Sequence, residues 1–137
     1  MKSIEYKIGS DISKEHLYAL YEDAGWISYT NDMEKLIKAL SHSLMVVSAW
    51  SQGELVGLIR VVGDGFVILY IQDILVLRNF KRFGIGSGLM NTVLDEFKDV
   101  RQKVLLTEDS LETRGFYESF GFKSCDDGMT VAFAIQR

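Results

Sequence analysis

The sequence predicts an α/β fold, a sandwich of helices around a mixed, mainly antiparallel sheet. Three observations lead there. Segments of apolar period two alternate along the chain with segments of helical period. Three strand-like runs follow one another at 44–51, 55–62 and 66–77, joined by Gln52-Gly53 and Gly63-Asp64-Gly65, which reads as antiparallel hairpins. The last of these enters a basic, glycine-rich turn and then a helix, so residues 71–97 form a strand–turn–helix unit around which the chain is organised.

Taken in order, Ile4-Glu5-Tyr6-Lys7-Ile8 alternates and predicts a strand. Ser13 caps a helix over 14–24 that carries Leu17, Leu20 and Tyr21 on one face, and Gly25 ends it. Residues 25–30 form a loop. Asn31 with Glu34 opens a second helix to about Ser41, which buries Met33, Leu36, Ile37 and Leu40, with His42 at its end. After the three hairpin strands, a helix starts near Gly84 and buries Leu89, Met90, Val93, Leu94 and Phe97. Residues 103–107 are a short strand, Asp109 caps a helix to Phe120, and Gly121 closes it. A final hairpin pairs 122–125 with 129–136 around Asp126-Asp127-Gly128. The sum is about seven strands and about four helices in one domain spanning 1–137.

A net charge of −4 argues against a nucleic-acid partner. The single cysteine, Cys125, excludes an internal disulfide and suits a reducing compartment. Lys2, Glu5 and Lys7 interrupt any apolar leader, and no run has the length of a membrane span, so the expected location is the cytoplasm without membrane attachment. His16 and His42 lie far apart and far from Cys125, which makes a metal site improbable.

The turn between the long strand and its helix carries Lys81, Arg82, Gly84, Gly86 and Gly88. A helix start leaves unpaired N–H groups and partial positive charge, glycines let an anion approach them, and the two cations add to the field. The alternative is a glycine-rich connection with solvated cations. A Walker A loop lacks its Gly-Lys-Ser/Thr here, and the third glycine of a dinucleotide fingerprint would be one residue early, at Gly88.

The run Lys81-Arg82-Phe83-Gly84-Ile85-Gly86 instead resembles the acetyl-CoA signature of the GNAT superfamily of N-acetyltransferases, Arg/Gln-x-x-Gly-x-Gly/Ala, with Lys in the first position. Phe116-Tyr117-Glu118-Ser119-Phe120-Gly121-Phe122 is similar to the family's F-Y-x-x-x-G-F. The resemblance covers roughly residues 45–125. It implies a GNAT-like fold whose central strands splay apart around acetyl-CoA, and often a homodimer. It implies that main-chain groups of Ile74, Leu75 and Val76 bond the pantetheine arm, and that Lys81, Arg82, Phe83, Gly84, Ile85, Gly86 and Ser87 hold the pyrophosphate. It makes Tyr117 the general acid and puts Ser110 where the family often has a cofactor-binding Asn. Many members carry proline after the long strand, where this chain has Arg78-Asn79, so a less rigid turn is expected.

Asp73 is the sharpest signal read from the residues alone. A carboxylate inside an apolar strand costs several kcal/mol if buried and unpaired. Either it faces a cleft, where it pairs with a substrate ammonium or accepts its proton, or it bonds backbone at a bulge. Glu108 and Asp109 are alternative bases. Trp26 and Tyr29, in the loop that covers the acceptor side in the family, offer a cation site or ordinary core packing. The expected activity is acetyl transfer from acetyl-CoA to a primary amine of a small molecule, with no metal. The alternatives are a protein or peptide N-acetyltransferase, and a CoA-binding module without turnover.

Overall fold

The computed structural model describes residues 3–137; Lys2, one of the charges weighed against a leader, lies outside them. The chain divides into two compact units, residues 1–105 and 106–137.

The first unit is a five-stranded sheet in the order β1-β2-β3-β4-β5. Its strands are β1 (Glu5–Ile8), β2 (Met45–Ser51), β3 (Glu54–Gly63), β4 (Ile68–Val76) and β5 (Gln102–Leu105). The first four pair antiparallel, and β5 joins β4 in parallel. The hairpins after Ser51 and Gly63 are those the turn residues predict. Asp64 fixes the second: its Oδ1 accepts main-chain N–H from Phe66 at 2.8 Å, Val67 at 2.8 Å and Ile68 at 3.1 Å.

Both faces of the sheet are covered, so β2 and β3 read as continuous apolar runs. On one face, Leu17, Leu20 and Tyr21 of α1 (Lys14–Asp23) and Leu36 and Leu40 of α3 (Met33–Ser41) cluster with Val46, Leu58 and Leu75. The other face takes α4 (Ile85–Glu96), which packs on β2, β3 and β4 through Ile85, Leu89, Met90 and Val93. Neighbouring residues of a strand point to opposite faces. Leu58 therefore meets α1 and α3, while a Cβ on Gly57 would stand 3.0 Å from Ile85 Cγ2 and 3.2 Å from Leu89 Cδ1.

Local departures from the sequence reading have local causes. Residues 27–30, expected as loop, form a single-turn helix α2 (Ile27–Thr30). Asp32 rather than Asn31 caps α3, accepting from Lys35 N at 3.2 Å. Proline is absent at 78 for a visible reason: Arg78 N–H donates to Asp23 Oδ2 at 2.8 Å, a bond that proline cannot make.

The second unit contains α5 (Leu111–Glu118) and a 3-10 turn at Cys125–Asp127. Phe116 and Tyr117 pack edge to face at 5.1 Å, Phe116 and Phe120 at 5.1 Å, and Tyr117 and Phe122 at 6.0 Å. The hairpin expected over 122–136 does not form, so the described residues carry five strands rather than seven. The N–H groups of Asp127 and Gly128 close turns onto Ser124 and Cys125 and are not available to a ladder. Met129, Val131, Phe133 and Ile135 do alternate, but all four are exposed and unladdered. Alternation describes a strand's faces; only a partner strand makes the ladder.

Candidate functional site

Two features of the first unit stand out, an open strand edge leading into an uncapped helix and a buried polar cluster beneath α1 and α2.

Strand β4 is paired with β3 from Leu69 to Val76, with Gln72 skipped, but with β5 only over its first half. The parallel register runs from Ile68 with Gln102 to Ile71 with Leu105 and stops. From Gln72 to Val76, β4 continues without a strand on that side within the first unit. Between Arg60 and Val61 the β3 register shifts, so Gln72 is the extra residue of a bulge at the point where β5 leaves. Leu77 N–H donates to Val56 O at 2.9 Å, and Gly57 lies opposite Val76. Antiparallel pairs alternate between bonded and non-bonded, so Leu75 turns its main-chain groups to β3, while Ile74 and Val76 turn theirs to the open edge.

The strand then passes through a 3-10 turn at Arg78–Phe80 into the residues expected to hold a pyrophosphate. Arg82, at φ 70°, and Gly84, at φ 80°, are both left-handed. That conformation strains Arg82 by about 1–3 kcal/mol, and strain of this kind gathers at binding sites. Gly84 is the N-cap of α4 with no side chain capping the helix, and the helix has no acidic residue in its first turn. The first intrahelical bond is Gly88 N–H to Gly84 O, at 2.9 Å. The amides of Ile85, Gly86 and Ser87 precede it and have no intrahelical acceptor. The Ile85 side chain itself is buried in the core, so only its main chain can serve an anion. Lys81 and Phe83 are exposed beside this start.

Beneath α1 and α2 lies Asp73, 1% exposed, opposite Arg60, 6% exposed. Arg60 Nε donates to Asp73 Oδ2 at 2.8 Å, and Tyr21 Oη donates to the same oxygen at 3.0 Å. Tyr29 Oη donates to Oδ1 at 2.7 Å and accepts from Arg60 Nη2 at 3.2 Å and Gln72 Nε2 at 3.3 Å. Burial pushes Tyr21 well above the usual phenol range and raises Tyr29, and the Asp73 charge adds to both, so both remain donors. Burial pulls Arg60 down, but the Asp73 carboxylate beside it more than offsets this and the guanidinium is held above its ordinary range.

Trp26 and Tyr29 are half-buried, 6.1 Å apart between ring centroids, and Tyr21 completes the group at 5.9 Å and 5.1 Å from them. The cation near this carboxylate and ring pair is the chain's own: Arg60 Cζ lies 6.0 Å from the Tyr29 ring centre. Sequence reading missed Arg60 and Tyr21 as parts of this cluster. A signal for Arg60 exists, since it is the one charge in the apolar interior of its strand, as Asp73 is the one charge of the next.

In the second unit, burial raises the Tyr117 phenol above its ordinary range, with a smaller opposing hydrogen bond from Thr107. Ser110, expected to contact cofactor, caps α5 by accepting from Thr113 N at 3.1 Å. Asp109, expected as that cap or as a base, is 2.6 Å from Arg114 Nε instead.

Comparison with known proteins adds the relatives. A family model described as an acetyltransferase (GNAT) domain matches residues 9–133. An uncharacterized ycf52-like N-acetyltransferase of Prochlorococcus marinus is 29% identical over 85% of this chain, which spans 66% of that relative's length. A GNAT family acetyltransferase from Streptococcus pneumoniae superposes with a TM-score of 0.85 at 39% identity, covering 98% of this chain and 99% of the other. The PaiA N-acetyltransferase of Thermoplasma acidophilum, solved in complex with coenzyme A, shares the fold at a TM-score of 0.71 and 17% identity, over 89% of this chain and 91% of its own.

Proposed function

Because the chain belongs to the GNAT acetyltransferase family and is an acyl-CoA-dependent N-acyltransferase, we propose that it moves the acetyl group of acetyl-CoA to a primary amine of a small molecule, by direct attack in a ternary complex. The observation that carries this reading is the continuity of the open β4 edge with the uncapped start of α4. The outward amides and carbonyls of Ile74 and Val76 suit the two amides of a pantetheine arm, which is itself strand-like. The amides of Ile85, Gly86 and Ser87, with Lys81 and Arg82 beside them, suit a diphosphate. That the PaiA N-acetyltransferase was solved in complex with coenzyme A supports this reading.

In this reading the neutral amine attacks the thioester carbonyl, the C–N bond forms, and the C–S bond breaks as the tetrahedral centre collapses. An outward N–H of β4 stabilises the oxyanion. Tyr117 gives its proton to the departing thiolate, and its raised pKa keeps that proton in place at neutral pH. Trp26 and Tyr29 belong to the acceptor side. Asp73 acts as a positioning residue, because both its oxygens already take donors from Arg60, Tyr21 and Tyr29. It holds Tyr29 and the bulge at Gln72 in place.

Thiol release from acetyl-CoA, measured over a panel of small amines and lysine peptides, tests the reading. Turnover on small amines with intersecting initial-velocity lines is expected. Turnover on peptides alone would move the acceptor to protein, and CoA binding without turnover on any amine would make the chain a binding module.

A further inference from the structure

Helix α4 rests on a row of residues that crosses the sheet. Tyr6 of β1 lies opposite Ala49 of β2, Ala49 opposite Gly57 of β3, and Gly57 opposite Val76 of β4. Directly paired residues share a face. The row therefore runs from a large aromatic at the sheet's first edge, over two of the smallest side chains, to the residue whose main chain faces the open edge. Gly57 admits the helix from below, since Ile85 and Leu89 leave only 3.0 Å and 3.2 Å for a Cβ there. At the aromatic end the fit is tighter still. A Cβ on Gly88 would stand 2.1 Å from Tyr6 Oη and 2.6 Å from Tyr6 Cζ. The sequence offers Gly88 as one more glycine for an approaching anion, whereas in the structure the space of its missing side chain is taken by Tyr6.

We propose that Tyr6 is a positioning residue for the cofactor site: its ring, seated against Gly88, sets how closely the first turn of α4 lies to the sheet, and so where the amides of residues 85–87 stand relative to Val76. The inference rests on the reading of those amides as the diphosphate site. All of β1 is exposed, Tyr6 at 38%, and it is the phenol end of Tyr6 that reaches over the sheet to Gly88. Burial of the phenol raises its pKa, so the ring keeps one neutral form throughout the working pH range.

Calorimetric titration of CoA and of pantetheine into the wild type, Gly88→Ala, Tyr6→Ala and the double variant tests it. Gly88→Ala forces ring or helix to move and is expected to weaken CoA by about tenfold, with KM for acetyl-CoA rising and kcat at saturation held. Pantetheine, which lacks the diphosphate, is expected to bind the variant as it binds the wild type. The double variant, with room for the new Cβ, is expected to bind CoA within about threefold of Tyr6→Ala. Equal CoA affinity in Gly88→Ala and wild type, a double variant weaker than Tyr6→Ala by the full loss seen in Gly88→Ala, or an equal loss of pantetheine binding overturns the inference. Should Gly88→Ala fail to fold, Tyr6→Ala decides alone: CoA weakened by about threefold or more with pantetheine unchanged supports it, and unchanged CoA affinity overturns it. A wild type that binds pantetheine but not CoA overturns the diphosphate reading together with this inference, whereas a wild type that binds CoA indifferently to these substitutions overturns the inference alone.

Discussion

Arg60 and Asp73 face each other across β3 and β4, with Nε 2.8 Å from Oδ2 and both side chains shut off from water. Removing one partner of such a pair leaves the other charge buried and alone, at a cost of about 3–5 kcal/mol. Asp73→Ala and Arg60→Ala are each expected to lose about that much in urea denaturation. A double Arg60→Met/Asp73→Leu variant is expected to recover most of it. If the folded double variant keeps its kcat, Asp73 takes no proton from the acceptor; a kcat lost by about a hundredfold with KM unchanged would give Asp73 the base role.

Tyr117 has a different signature. Tyr117→Phe is expected to lower kcat by about a hundredfold while acetyl-CoA affinity, measured by calorimetry, changes little. Because burial holds the phenol above its ordinary range, no loss of activity below about pH 9 belongs to Tyr117 ionising. An unchanged turnover in the Phe variant would remove Tyr117 as the acid.

Gly84 is at φ 80° where α4 begins. Valine there is strained by about 1–2 kcal/mol in a left-handed conformation. Gly84→Val is expected to shift the helix start and weaken CoA about tenfold, read by titration of folded protein. Wild-type affinity would show that the amides beyond Gly84 do not hold the diphosphate.

Asp64 supplies a pH dependence. Its three main-chain donors hold the carboxyl below the usual carboxylate range, so the folded chain binds this proton less readily than the unfolded one. The turn's contribution to stability is present above about pH 4 and is lost as pH falls through the depressed folded value. The urea midpoints of wild type and Asp64→Ala are expected to differ at pH 5 to 7 and to converge in acid. A difference that persists unchanged into acid would mean that the carboxylate is not what holds the turn.

Much of this was legible in the order of residues, because it depends on neighbours in the chain. The three hairpin strands follow from turn chemistry at Gly53 and Gly63, α1 from Ser13, and the uncapped start of α4 from Gly84 and the absence of any capping side chain. Shifts of one residue, such as Asp32 for Asn31 and Ser110 for Asp109, arise because adjacent polar side chains compete for the same amide and geometry selects one. The hairpin over 122–136 failed because period-two hydrophobicity is necessary for a half-buried strand but does not supply its partner.

The sequence by itself determined the family and the glycine-rich turn between β4 and α4, since each is written in short motifs of neighbouring residues. Only the tertiary structure decided that the lone carboxylate of β4 is answered by the lone guanidinium of β3, and that Gly88 makes room for Tyr6, eighty-two positions earlier. The physical reason is common to both. The free energy of a buried charge or of a close contact belongs to the pair, and which pair forms depends on strand register and the depth at which a helix lies on its sheet.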